Sequence, residues 1–183
     1  MSNKSSIFNH LKLLMLITLI LTTSVNASSV REVTIEEASL NTAFIFEGRV
    51  ISKEVRPSPQ DDRPYTYFTF EIIEVIKGTH PAKQIEIGFA GGTIDGMTLS
   101  VTGLRMPELN ESGVYFVESL TQELVHPLYG WSQGHYLISS AKKVLRVQQS
   151  SPGLVASPQA LLTALSLSEF KQQIRNILGT TAP

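Results

Sequence analysis

The chain has 183 residues, no cysteine, and 15 Lys and Arg against 16 Asp and Glu, for a formal net charge of −1. Without cysteine there is no disulfide staple, thiol nucleophile, iron–sulfur cluster or Cys-ligated zinc. Nucleic-acid binding rests on a basic patch that neutralises phosphates. The scattered Lys142, Lys143 and Arg146 supply none, which argues against nucleic acid and anionic membrane surfaces as partners.

The first 27 residues read as a secretory signal peptide. Lys4, His10 and Lys12 make a basic start without acids, Leu11 to Leu21 is apolar apart from Lys12 and Thr18, and Val25-Asn26-Ala27 offers small side chains for a peptidase. Cleavage is expected before Ser28. The apolar run, roughly ten residues, is too short for a bilayer core that takes about 20, so no stable membrane anchor is expected. The mature chain, residues 28–183, has the length of one domain and is mildly acidic.

Along that chain, Thr34 and Glu37 have capping-box spacing and open a short helix to about Leu40. Ala43–Val55 reads as a strand, with Phe44, Phe46, Gly48 and Val50 on one face and Ile45, Glu47, Arg49 and Ile51 on the other. Three prolines and two aspartates mark a loop over Arg56–Pro64. Thr66–Lys77 alternates until Ile72 and then slips phase, which predicts a bulge near Glu74. Gln84–Phe89 is a third strand. Ala90–Gly96 is a glycine-rich connection, and Met97–Val101, Val114–Glu118, Tyr136–Ile138 and Val144–Val147 are further short strands. Residues 150–157 form a Ser/Pro/Gly linker. A helical tail, 158–183, ends in a helix capped by Ser168 that runs to about Leu178, with Phe170, Ile174, Ile177 and Leu178 at helical spacing. Six or seven short strands with bulges and interior glycines predict a mainly β domain over 28–149. A small antiparallel OB-like barrel is the expected form, with a β-sandwich as the alternative.

Ala43 to Ile138 resembles a family of exported bacterial domains. The resemblance rests on Glu47-Gly48-Arg49-Val50, Tyr65-Thr66-Tyr67-Phe68-Thr69-Phe70, Glu74-Val75-Ile76-Lys77-Gly78, Gly91-Gly92, Val101-Thr102-Gly103, Gly113-Val114-Tyr115-Phe116-Val117 and Trp131-Ser132-Gln133-Gly134, in that order. It implies a small β-barrel with an OB-like look and brings no catalytic residues with it. The chain departs from the pattern at Leu104-Arg105-Met106-Pro107 and at Glu111-Ser112-Gly113.

No catalytic or metal motif stands out. A serine triad could draw on Ser132, His135 and Asp95, but there is no Gly-x-Ser-x-Gly elbow. His80, His126 and His135 lack metal-ligand spacing. Asp61-Asp62 reads as a solvated pair, and Ala90–Gly96 as a hairpin or corner loop rather than a phosphate cradle, since no helix follows it. No cofactor is expected. The richest cluster is Tyr129 to Tyr136, with the sole tryptophan, two tyrosines and two glycines. Aromatics flanked by glycine make recognition platforms, so Tyr129, Trp131, Gln133, His135 and Tyr136 are the candidate binding residues. The competing reading makes Trp131 a plug for one end of the barrel. The leading expectation is an exported, non-enzymatic binding module for an envelope protein or a glycan. The alternatives are a metal-independent hydrolase and a protease-inhibitor-like module acting through an N-terminal segment at Ser28.

Overall fold

A computed structural model describes residues 31–146 and 165–179. The chain divides into Met1–Arg31 and Glu32–Pro183, and the fold is that of the second unit. The expected leader with its cleavage point, the linker 150–157 and the start of the helical tail lie outside the described residues.

The described chain is mainly β. Helix α1 (Ile35–Asn41) precedes β1 (Phe44–Pro57), β2 (Pro64–Lys77), β3 (Gln84–Ala90), β4 (Gly92–Ile94), β5 (Met97–Leu99) and β6 (Ser112–Val117). A single 3₁₀ turn (Trp131–Gly134), β7 (His135–Ile138), β8 (Val144–Arg146) and helix α2 (Leu167–Ile177) complete it. One antiparallel six-stranded sheet has the order β3-β2-β1-β6-β7-β8, and β4-β5 form a separate hairpin.

Strand alternation sorts the core into two layers. Phe44, Phe46 and Val50 face one side of the sheet with Phe68, Phe70, Phe89, Tyr115 and Leu128. Ile45, Val114, Phe116 and Tyr136 face the other, where Ala38 of α1 and Leu167, Phe170 and Ile174 of α2 cover them. Both faces are therefore buried around the centre of the sheet, which is why Phe44–Glu47 and Val114–Val117 are apolar or buried without a break. A third cluster, Tyr65, Tyr67 and Ala90, packs against Leu99 and Val101 beyond the β4–β5 hairpin.

The expected bulge is present. Glu47 pairs with Glu74 while Gly48 pairs with Ile72, so Ile73 is the extra residue on β2. The slip moves Ile76 to the helix-covered face after Phe68 and Phe70 have pointed to the other. Gly48 sits at this step because a Cβ there would lie 2.5 Å from the Phe46 ring and 3.0 Å from the Glu71 carbonyl oxygen.

The mainly β fold with a short N-terminal and a C-terminal helix is as expected, and four details differ. The sheet is open among the described residues: β3 and β8 lie at opposite ends of the strand order and do not pair. The β8 edge is taken instead by the segment leading into α2, through Val144 N to Leu165 O at 3.0 Å and Leu167 N to Lys142 O at 2.9 Å. The loop expected over Arg56–Pro64 is shorter. The strands run on until Pro57 pairs with Pro64, because a proline missing its N–H is tolerated at a strand end. The glycine-rich connection contains β4, and Asp95 (φ 48°) and Gly96 (φ 80°) turn it into β5. Two consecutive positive φ values at Asp-Gly are those of a tight hairpin turn. Finally, the cap of α2 is Ser166, not Ser168. The Ser166 hydroxyl accepts from Glu169 N, and the Glu169 carboxylate accepts from Ser166 N at 2.9 Å. The Ser-x-x-Glu spacing selects the earlier serine.

Candidate functional site

The segment Glu118–Gly134 links β6 to β7. It is pinned by Ala90 N donating to Val125 O at 3.0 Å, by Glu118 N to Pro127 O at 2.9 Å and by Tyr129 N to Phe116 O at 2.9 Å. Leu128, fully buried, anchors its middle in the core. Two consecutive residues then take the left-handed conformation, Gly130 (φ 60°) and Trp131 (φ 61°). Glycine accepts that backbone freely, whereas for tryptophan it is strained.

The strain places the only tryptophan at the surface. Trp131 is 39 % exposed, and its indole stacks on the imidazole of His126, with centroids 5.7 Å apart and planes 12° from parallel. His126 is only 3 % exposed and meets Phe89 edge-on at 5.2 Å. Its Nδ1 accepts from Leu128 N at 3.2 Å, so the neutral ring carries its proton on Nε2. Burial, with the nearby His135 adding to it, pushes the pKa of His126 down to about 4.

The five candidate residues are not brought into one surface. Trp131 alone is exposed. Tyr136 is buried against Phe170 at 4.7 Å and Phe116 at 5.3 Å. Tyr129 packs against the same layer and donates from its hydroxyl to Glu37 Oε1 at 3.1 Å. Gln133 ties the chain start to β8: its Oε1 accepts from Val33 N at 2.8 Å and from Arg146 Nη2 at 3.0 Å. Tyr129, Gln133 and Tyr136 thus hold the turn on the helix-covered side.

His135 is fully buried on the opposite side and belongs to a closed polar triangle. Arg105 Nη1 reaches His135 Nδ1 at 3.3 Å, and Arg105 Nη2 donates to Glu111 Oε2 at 2.7 Å. Glu111 Oε1 lies 2.7 Å from His135 Nε2. Burial would raise the Glu111 carboxyl, but His135 and Arg105 outweigh it and hold it below the usual carboxylate range. Burial pushes His135 down despite that carboxylate. The triangle therefore contains an ionised Glu111, Arg105 and a neutral His135, and fastens the β5–β6 connection to β7. The Tyr115 ring packs on His135 at 4.9 Å, and burial raises its hydroxyl pKa, with Glu111 adding to it.

The other sequence candidates lie apart. A triad would need His135 oriented by Asp95 and bonded to Ser132. Instead Glu111 and Arg105 surround His135, the buried Ser132 hydroxyl has no hydrogen-bond partner, and Asp95 sits exposed in the β4–β5 turn. Among the described residues no three His, Asp or Glu side chains converge as a metal would require. Asp61 is held by Arg63 Nε at 2.7 Å. His80 packs on Phe44 at 5.9 Å, its Nε2 3.0 Å from Gln84 O. Gly91 and Gly92 serve close packing: a Cβ would meet Met106 at 2.9 Å or Val55 at 2.7 Å. His126, Arg105 and Glu111 are the residues that sequence reading did not join to the cluster. All three lie in irregular segments without periodicity, so only tertiary contact unites them.

No protein-family model, curated protein or solved structure matches the chain. Among the described residues no helix is long and apolar enough to cross a membrane.

Proposed function

We propose that this chain is an exported, non-enzymatic binding module that contacts an envelope protein or a glycan through the surface centred on Trp131. The single observation carrying the reading is the exposed indole held at φ 61° on a buried imidazole. Strained backbone persists where surrounding structure enforces it, and it clusters at ligand-contact sites. A large aromatic ring on a rigid support also loses little freedom on binding, which is why Trp is enriched among interface anchors. A plug role would bury the ring, whereas here the ring beneath it, His126, is the buried one. The leader-like residues 1–27 support export.

The test is a binding comparison between the purified mature chain and its Trp131→Ala variant. The probes are immobilised envelope proteins and an array of oligosaccharides that includes peptidoglycan fragments. The wild type should retain at least one probe saturably, and the variant should lose most of that affinity with an unchanged far-ultraviolet spectrum. Equal retention by both chains would overturn the reading.

A further inference from the structure

Resting on that reading, we infer that His126 is an acid-operated latch: protonating its imidazole releases Trp131 and reshapes the binding surface. Three contacts meet at this one side chain. Its ring face supports the Trp131 indole. Its Nδ1 accepts the Leu128 N–H, and the Leu128 carbonyl in turn accepts from Trp131 N at 2.9 Å. His126 thus holds Trp131 both through its ring and through one intervening residue.

A proton arriving at Nδ1 turns the acceptor into a donor. It then faces the Leu128 N–H, and two donors cannot bond. The new charge finds no carboxylate of its own. The titratable group acting on it is His135 of β7, which disfavours the charge, while the backbone of Arg105 in the β5–β6 connection favours the protonated ring less than burial opposes it. The nearby Glu111 already serves both of them. Phe89 of β3 and Leu128 complete an apolar surround. An imidazolium gains some attraction from the indole face, but it gives up a hydrogen bond and water. Burial, the largest influence on this ring, disfavours its charged form. Relief comes when the ring swings toward solvent, which breaks the stack and frees Trp131 N from its tie.

The test needs no ligand, so its failure would leave the binding reading standing. Trp131 is the only tryptophan, and its fluorescence reports directly on the stack. The mature chain is titrated from pH 7.5 to 3.5, with emission and far-ultraviolet ellipticity followed together. The variants are His126→Gln, which keeps an acceptor for Leu128 N, and His126→Phe, which keeps a flat support that cannot titrate. In the wild type, emission should step with a midpoint near pH 4 while the far-ultraviolet spectrum holds, and neither variant should step there. An emission change only when the whole fold collapses would overturn the latch. The same step in His126→Phe would also overturn it, since His135 would then be the titrating group. If the variants do not fold, nitrogen-detected imidazole spectra of the wild type decide the matter. Nδ1 of His126 should gain its proton at the midpoint of the indole change, and a different midpoint contradicts the proposal.

Discussion

Lys171 of α2 and Glu47 of β1 form a largely shielded ion pair, 2.8 Å from Nζ to Oε2, in which Glu47 is buried and Lys171 half-buried. Lys171 also reaches Glu74 at 2.6 Å, and Arg175 adds a second contact to Glu74. The C-terminal helix is therefore fixed by charge at the rim of its apolar footprint of Leu167, Phe170 and Ile174.

Removing one partner of a buried pair leaves a charge that water cannot reach. Lys171→Ala should destabilise the fold by about 3 kcal/mol in urea unfolding. The double variant Lys171→Met, Glu47→Gln should recover most of that loss, because no ion is then stranded. Equal stability of the single and double variants would show that packing, not charge, sets the cost.

Trp131 should be nearly neutral for stability when replaced by glycine. Relief of left-handed strain is worth roughly 1 kcal/mol, and loss of an aromatic stack costs about as much. Trp131→Gly should thus fall within about 1 kcal/mol of the wild type, with Trp131→Ala less stable than Trp131→Gly by about 1 kcal/mol. Thermal unfolding of the three chains side by side checks the order.

Gly134 begins the approach to β7, and a Cβ there would lie 2.5 Å from the Tyr129 carbonyl oxygen and 3.0 Å from its amide nitrogen. Neither atom can rotate away, as a side chain would. Gly134→Ala should cost about 2–3 kcal/mol, in the range of overpacked cores. Gly96 has open space around its Cβ position, and alanine there should cost only the roughly 1 kcal/mol of its φ of 80°.

Stability should fall on mild acidification. The unfolded chain takes up a proton at His126 near pH 6.5, and the folded chain only near pH 4. Between these values the unfolded state binds more protons, so stability rises with pH across the window and is lost as pH falls through it. The full difference amounts to about 3 kcal/mol. His135, also pushed down, acts in the same direction. Denaturant midpoints at pH 7, 5.5 and 4.5 should show the decline, and His126→Gln should flatten the slope by close to one proton.

Much of the sheet was legible from local pattern. The alternation of Phe44, Phe46 and Val50, the phase slip at Glu74 and the helical spacing of Phe170 and Ile174 are all one-dimensional signals of which face meets a core. Boundaries were less so. Pro57 and Pro64 read as loop residues because their place at the ends of a paired hairpin depends on the strands they close, whereas the run ending in Asp95-Gly96 reads as a hairpin or corner and turns β4 into β5. Ser168 looked like a cap until the glutamate three residues beyond Ser166 is counted. The site was legible only at Trp131. His126, Arg105 and Glu111 come from segments with no repeat, and their partnership is made by the sheet that brings β3, β6 and β7 beneath one connection. Gln133 is drawn inward by its bonds to Val33 and Arg146, and Tyr136 faces the helix-covered layer because it follows His135 on strand β7, where successive side chains point to opposite faces.

The most direct measurement uses the fact that one tryptophan gives one indole N–H resonance. An amide-correlation spectrum of labelled mature chain is recorded while a retained envelope protein or oligosaccharide is added. The account expects the Trp131 indole peak to shift or broaden early, together with the Leu128 and Gln133 amides. A binder that moves other peaks and leaves the indole resonance in place would contradict it.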